Sequence, residues 1–362
     1  MNSFALRDAS EVPSPSLLLG WSAIQNNLQR MLSIAGSPER LRPHMKTHKT
    51  RDITELYLNA GITRHKCATL REAEVLADCG VPDILIAYPL VGPNQKRLCE
   101  LAKRFPQTRF SCLGDDDEVL SQLNQLATDT GVRLGFFLDY NVGQNRTGMQ
   151  EMPNWMAKVI QWKHLRLCGM HLYDGHNQAP AQEERRSLAQ RTYQRAIQLG
   201  LDQPGQSLEY VLGGTPAFLL LADMIKHPQV SFSPGTCILH DAGYSQKFPE
   251  LGFTPAAAVL TRCISRPGPK LVTFDIGTKA ICADPPLGQR VHLVGLEQAV
   301  CTLHNEEHYV VETEEAELWK PGMTAYAIPK HICPTVAMYD TACVVENGKV
   351  TREIPIAARG RS

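Results

Sequence analysis

Residues 62–87 read ITRHKCATLREAEVLADCGVPDILIA, and the fold class turns on this stretch. Ile62–Ala68 is a mixed run, the weaker kind of candidate strand. Thr69-Leu70-Arg71-Glu72 then has the form of a capping box, in which the Thr69 hydroxyl accepts from an orphan first-turn amide while Glu72 reaches back. The helix so opened should stop at Gly80, with Pro82 beyond it. Asp83–Ala87 (DILIA) follows as an apolar run of strand length.

Outward from this unit the same alternation continues. Short apolar runs occur at Leu41–His44, Arg109–Leu113, Arg133–Leu138, Leu165–Leu172, Leu208–Leu212 and Gln229–Phe232. Helical stripes lie between or before them, such as Ile24, Leu28, Met31 and Leu32, or Val119, Leu120, Leu123 and Leu126. Eight candidate strands alternating with helices predict an α/β fold of the (β/α)8 TIM-barrel type. A doubly wound sheet competes, but no G-x-G-x-x-G follows the first strand. After about residue 245 the runs become short, β-rich and broken by turns: AVLTRCISR, KLVTFDIG, TAYAIP and ACVVENGKV. Asn347-Gly348 is a two-residue hairpin signal. The expected organisation is therefore a barrel over residues 16–245 and an all-β domain over 246–362.

The chain of 362 residues carries 37 Lys+Arg against 37 Asp+Glu, so a basic surplus for nucleic acid or anionic membrane is missing. A 43% hydrophobic and 20% charged composition is that of a globular protein with real cores. No run of about 18 apolar residues predicts a transmembrane helix. The N-terminal MNSFALRDASEVPSPS does not read as a secretory signal. Eleven scattered cysteines without C-x-x-C fit a reducing cytoplasm better than a disulfide framework.

The densest polar cluster, RPHMKTHK at 42–49, falls where the first barrel strand should end, and catalytic groups gather at that rim. Two readings are open: a solvated loop, or a Schiff-base lysine at Lys46, since an amine desolvated near other cations becomes nucleophilic. Gly213-Gly214-Thr215-Pro216 and Ser233-Pro234-Gly235-Thr236 end the last two predicted strands, and glycine turns leading into a helix suit a phosphate. Arg146, in the turn after RLGFFLDY, could hold an oxyanion or lie on the surface. His331 and Cys333 form an H-x-C pair; if extended, both would project on one face and suit Zn2+, though such a pair also arises by chance.

With RPHMKTHKT at 42–50, DYNVGQNRTGM at 139–149, GMHLYDGH at 169–176, GGTP at 213–216, PGTCILHDAGY at 234–244, DIGTKAICAD at 275–284 and IPKHICPTVAMYD at 328–340, the chain resembles the D-threonine aldolase/D-serine dehydratase family. These are fold-type III pyridoxal-phosphate enzymes related to alanine racemase. The resemblance implies a pyridoxal 5′-phosphate barrel joined to a C-terminal β domain that also takes in residues 1–15. It implies that Lys46 carries the cofactor, that Arg146 lies near its phenolic oxygen and that Tyr173 lines its pocket. Gly213, Gly214, Thr215, Gly235 and Thr236 match phosphate-binding turns, and His331 and Cys333 match ligands of a divalent metal, Zn, Mn or Mg. His176, Asp241 and Tyr244 match family stretches without an assigned role. A homodimer acting on a D-amino acid, without nucleic acid or membrane partners, is the expected setting.

Two positions depart from many relatives. Ser233 stands where an arginine often precedes Pro-Gly, near the pyridine nitrogen in the racemases, which disfavours a long-lived carbanion and hence racemisation. Cys333 gives the thiolate version of a metal pair that several D-threonine aldolases build as H-x-D. Retro-aldol cleavage of a D-β-hydroxy amino acid to glycine and an aldehyde is the first expectation. Dehydration of D-serine or D-threo-3-hydroxyaspartate to a keto acid and ammonia is the second. A cofactor-binding protein without turnover and a simple racemase are the remaining alternatives.

Overall fold

The computed structural model describes residues 2–151, 156–159, 161–205 and 207–361. In chain order the elements are β1 (Ser16–Gly20), α1 (Trp21–Ala35), α2 (Arg51–Asn59), β2 (Arg64–Cys67), α3 (Leu70–Asp78), β3 (Asp83–Pro89), α4 (Pro93–Arg104), β4 (Arg109–Gly114), α5 (Asp117–Thr130), β5 (Leu134–Asp139), α6 (Met156–Val159), β6 (Leu165–Leu172), α7 (Gln182–Gln198), β7 (Glu209–Leu212), α8 (Thr215–Met224), β8 (Val230–Phe232) and α9 (Ala242–Lys247). Strand-rich chain follows: β9 (Ala257–Gly268), β10 (Leu271–Phe274), β11 (Val291–Leu293), β12 (Val300–His304), β13 (Tyr309–Glu312), β14 (Thr324–Pro329), α10 (Ile332–Val336), β15 (Thr341–Glu346) and β16 (Lys349–Pro355).

The chain divides into two compact units, one of residues 32–46, 51–235 and 360–362, the other of residues 1–31, 47–50 and 236–359. In the first, β2 to β8 form a parallel sheet in sequence order. Leu41 bridges to Phe232 of β8 and His44 to Lys66 of β2, both in parallel, so residues 41–44 supply the eighth stave of a (β/α)8 barrel. They remain two isolated bridges rather than a strand because Pro43 has no amide to give the ladder. The capping box forms with one change of partner: Thr69 Oγ1 accepts from the Glu72 amide at 3.1 Å, and Glu72 Oε2 accepts from the amide of Ala68 at 2.6 Å, one residue before the cap. Leu85, Leu113, Phe137 and Val211 pack in the barrel interior.

The N-terminal ends of the strands are closed by Arg42, which is wholly buried. Its guanidinium donates to Asp83 Oδ1 at the start of β3 and to Glu209 Oε2 at the start of β7, each at 2.8 Å. This arginine, part of the polar cluster at 42–49, therefore belongs to the barrel plug.

The second unit is a mixed sheet ordered β12-β13-β10-β9-β1-β15-β16, with β14 paired to both β9 and β11. The opening strand β1 lies inside it, antiparallel to β9 and parallel to β15. Residues 1–31, β1 included, belong to this compact unit. The β15–β16 hairpin turns through Asn347 and Gly348, both at positive φ (51° and 75°), the requirement of a type I′ turn. Among the described residues no helix is long and apolar enough to cross a membrane.

Candidate active site and metal centre

At the C-terminal rim of the barrel lies a cavity of about 560 Å3, lined by His44, Lys46, Lys66, Arg146, His171 and Tyr173 together with apolar side chains and Thr147. Five of these six groups are basic, and among the described residues no carboxylate lines the wall. Such a site favours anions. Lys46 stands in a single 3-10 turn, Met45–Thr47, whose start is held by the Lys46 amide donating to His44 Nδ1 at 3.2 Å. Arg146 follows Asn145, which sits at φ 52°; the loop is nucleated by Asn141 Oδ1, which accepts from the amides of Gly143 and Asn145 at 3.0 Å each. The Arg146 guanidinium lies 5.3 Å from the Tyr173 ring centroid, and the ring stacks on His171 with an interplanar angle of 9°.

Behind the wall runs a buried chain of polar groups. Lys66 Nζ lies 3.0 Å from His171 Nε2 and donates to Ser233 Oγ at 2.9 Å. His171 Nδ1 is 2.7 Å from Asp139 Oδ1, and Asp139 Oδ2 accepts from Thr147 Oγ1 at 2.5 Å. Burial first, then the neighbouring Lys46, lowers the Lys66 pKa to about 7. Burial and then Lys66 lower His171 to about 4, so its imidazole is neutral. These residues end or adjoin β2, β5, β6 and β8; Asp139 and His171 fall in the stretches 139–149 and 169–176 that carry the resemblance but have no role assigned there, and Lys66 has only its place in the run 62–68.

The glycine turn leading into α8 adjoins this cavity. Gly213 takes φ 71°, and a Cβ there would meet Leu221 at 2.6 Å; a Cβ on Gly214 would come within 3.0 Å of the Tyr173 ring. Gly214 is the N-cap residue and Thr215 the first residue of α8, with Pro216 in its first turn. Gly235 ends the barrel unit, whereas Thr236 opens a 3-10 turn in the β unit. His176 packs on Gly143, where an added Cβ would meet its Nε2 at 2.9 Å.

In the β unit the H-x-C motif is not extended. His331 is the extended N-cap residue of α10 and Cys333 lies in its first turn, where Pro334 is tolerated because no intrahelical amide bond is due there. His331 finds its partners elsewhere: Cys282, Asp284 and His331 place their ligand atoms within 4.8 Å of one another, with His331 Nδ1 at 2.6 Å from Asp284 Oδ2. Burial would lower the His331 pKa, but bonding to Cys282, Cys333 and Asp284 raises it to about 11. Cys333 Sγ sits 3.1 Å from Thr47 Oγ1 and 3.7 Å from Thr236 Oγ1. Buried Thr335 ties the two ligand segments: its hydroxyl accepts from the Cys282 amide and donates to the His331 carbonyl, both at 3.1 Å. Asp241 caps α9 through the Tyr244 amide at 2.8 Å and also accepts from the Ile332 amide at 3.3 Å, a structural role that the D-x-x-Y pattern left open. Cys282 and Asp284 were not singled out in the sequence; their only signal was a C-x-D in the stretch 275–284.

Both groups of residues fit what the fold family carries. The glycine that a Cβ would drive into Tyr173, the helix start beside it and the cationic wall suit a phosphorylated aldehyde, and an S, O, N donor set suits Zn2+ or a similar ion.

The chain belongs to the family described as "Alanine racemase, N-terminal domain", whose model matches residues 21–239. A second model, described as "Putative serine dehydratase domain", matches residues 256–345. The chain is 27% identical to a D-threonine aldolase of Arthrobacter sp, over 98% of this chain and 94% of the relative. It is 27% identical to a 3-hydroxy-D-aspartate aldolase of Paracoccus denitrificans (strain Pd 1222), with the same coverage. Its structure matches that of a D-threonine aldolase from Filomicrobium marinum with a TM-score of 0.87 and 26% identity, covering 97% of both chains.

Proposed function

We propose that the protein is a pyridoxal-phosphate- and divalent-metal-dependent lyase that cleaves D-β-hydroxy amino acids between Cα and Cβ to glycine and an aldehyde. The observation that carries this reading is the cationic rim cavity, in which Lys46, Arg146 and Tyr173 meet beside the Gly213–Gly214 turn. Lys46 is the amine that would hold the cofactor aldehyde, and Gly213, Gly214 and Thr215, with Gly235, would hold its phosphate. The cofactor supplies electron withdrawal from the substrate α-carbon. Tyr173, stacked on His171 and within reach of the Arg146 guanidinium, lines the cavity that would take the cofactor. Arg146 leaves positive charge on the cavity wall to receive a carboxylate, with His44 beside it. Cys282, Asp284 and His331, with Cys333 beside them, would hold a divalent ion, which supplies Lewis acidity toward a hydroxyl.

Two full-length aldolase relatives favour carbon–carbon cleavage. A second reading, dehydration to a keto acid and ammonia, is favoured by the dehydratase-type model over 256–345 and by the thiol at 333. In that reaction Lys46 takes the α-proton. Homodimerisation and a cytoplasmic setting form part of the same proposal. The test is product analysis with D-threonine, D-serine and D-threo-3-hydroxyaspartate in the presence of Mn2+ or Zn2+. Glycine with an aldehyde supports the first reading, and ammonia with a keto acid the second.

A further inference from the structure

We propose that Lys66 is a second carbonyl-reactive amine of the rim cavity, able to take an aldehyde as a Schiff base when Lys46 does not hold it. The inference rests on the reading above only for the nature of the aldehyde. The Lys66 side chain is 2% exposed, yet it lines the same cavity as Lys46. Its hydrogen bonds suit a neutral amine. His171 offers Nδ1 to Asp139, so Nε2 carries the lone pair and accepts from Lys66. Ser233 donates its own hydroxyl proton to the Gly213 carbonyl at 2.8 Å, so Oγ accepts from Lys66. Two acceptors consume the two N–H groups of a neutral amine and leave its lone pair unengaged.

The surroundings favour that neutral form. Burial, Lys46, Arg146 and Arg42 oppose a charge on Lys66; Asp139 and Asp174 act the other way, but Asp139 already serves His171 and Thr147, and Asp174 accepts from the Gly214 amide. Tyr173 covers the amine with its ring centroid 4.9 Å from Nζ. In the reaction the nitrogen lone pair attacks the aldehyde carbon and forms the C–N bond. The carbonyl oxygen leaves as water with the two amine protons, and C=N remains. Added borohydride then delivers hydride to that carbon and fixes a secondary amine.

The experiment reduces three proteins with borohydride after incubation with pyridoxal 5′-phosphate: the unsubstituted chain, Lys46→Met, and Lys46→Met with Lys66→Met. Peptide mapping by mass spectrometry locates the label. The unsubstituted apoprotein is treated with glyoxylate in parallel, an arm that needs no substitution. Label is expected on Lys66 in Lys46→Met and in the glyoxylate arm; in the latter, where Lys46 is still present, it is about tenfold weaker at about pH 6 than at about pH 8.5, because the amine becomes protonated. Absence of a Lys66 adduct with both probes, with label confined to lysines also modified in the double variant, overturns the proposal. Absence of cofactor from Lys46 in the unsubstituted chain overturns the Lys46 assignment instead, and the glyoxylate arm still decides Lys66.

Discussion

Asp284 Oδ2 stands 2.6 Å from His331 Nδ1, across 47 positions of chain. The donor cluster is therefore built from two segments, and the H-x-C motif supplies only part of it. Metal should be lost when either segment is broken. His331→Ala and Asp284→Ala are each expected to lower bound zinc or manganese, measured by atomic emission after dialysis, with the fold intact by circular dichroism. Chelation by EDTA should abolish turnover and added Mn2+ or Zn2+ restore it; full turnover after exhaustive chelation removes the metal from the reaction.

Thr335 positions that cluster without offering it a ligand, through its bonds to the Cys282 amide and the His331 carbonyl. Thr335→Val keeps the volume and deletes both bonds. Metal affinity should fall by about 10- to 100-fold, as for other groups that orient ligands, while Thr335→Ser retains it. Equal affinity in the valine variant and the parent contradicts the positioning role.

Arg42, Asp83 and Glu209 close the barrel far from the catalytic rim, so their loss should appear in stability. Truncating Arg42 leaves two carboxylates without their buried cation, and Arg42→Ala is expected to cost about 3–5 kcal/mol in urea unfolding. Burial alone would raise the Glu209 pKa, but Arg42 holds it down at about 2. A carboxylate depressed in the folded state stabilises above its unfolded pKa, near 4.5, and that contribution, about 3 kcal/mol, disappears as pH falls from there toward 2. Glu209→Gln should flatten the acid limb of the stability profile.

Lys66 gives a slope of the same sign in a higher pH window. Its pKa falls from 10.5 to about 7 on folding, so between those values the unfolded chain binds more protons and stability rises with pH. The apoprotein should gain about 1.4 kcal/mol per pH unit from this group over that window. Lys66→Met should lack that slope, whatever its stability at any one pH. Parallel profiles for the two proteins would show that Lys66 is charged in the fold.

The barrel was legible where local chemistry and burial agree. Thr69 and Glu72 announce α3, and runs such as β5, buried along its whole length, announce strands covered on both faces. Leu41–His44 reads as a strand by hydrophobicity, yet Pro43 reduces it to two bridges. The pairing of β1 with β9 joins positions separated by most of the chain, and no local pattern records such a partner. The same holds for the site. Lys46 and the Gly213–Gly214 turn stand out because their residue types are unusual for their positions. Lys66 sits in a short mixed strand where a lysine reads as solvent-facing, and its acceptors come from β6 and the end of β8. Cys282 and Asp284 become ligands only through the fold that brings them to His331.

Lys46 is assigned the cofactor-bearing role, so borohydride reduction of the unsubstituted, cofactor-loaded protein should fix the cofactor on the peptide that carries Lys46, and Lys46→Ala should lose turnover while metal content stays unchanged. Reduced cofactor found on other lysines alone in the unsubstituted protein contradicts the assignment.

The central claim is carbon–carbon cleavage of a D-configured hydroxy amino acid, and one measurement meets it head on. The protein loaded with pyridoxal 5′-phosphate and Mn2+ is given D-threonine and, separately, L-threonine, and glycine, acetaldehyde and ammonia are quantified together. Equimolar glycine and acetaldehyde from the D-enantiomer alone, without ammonia, is the predicted result; ammonia with 2-oxobutyrate, or cleavage of the L-enantiomer at equal rate, would contradict it.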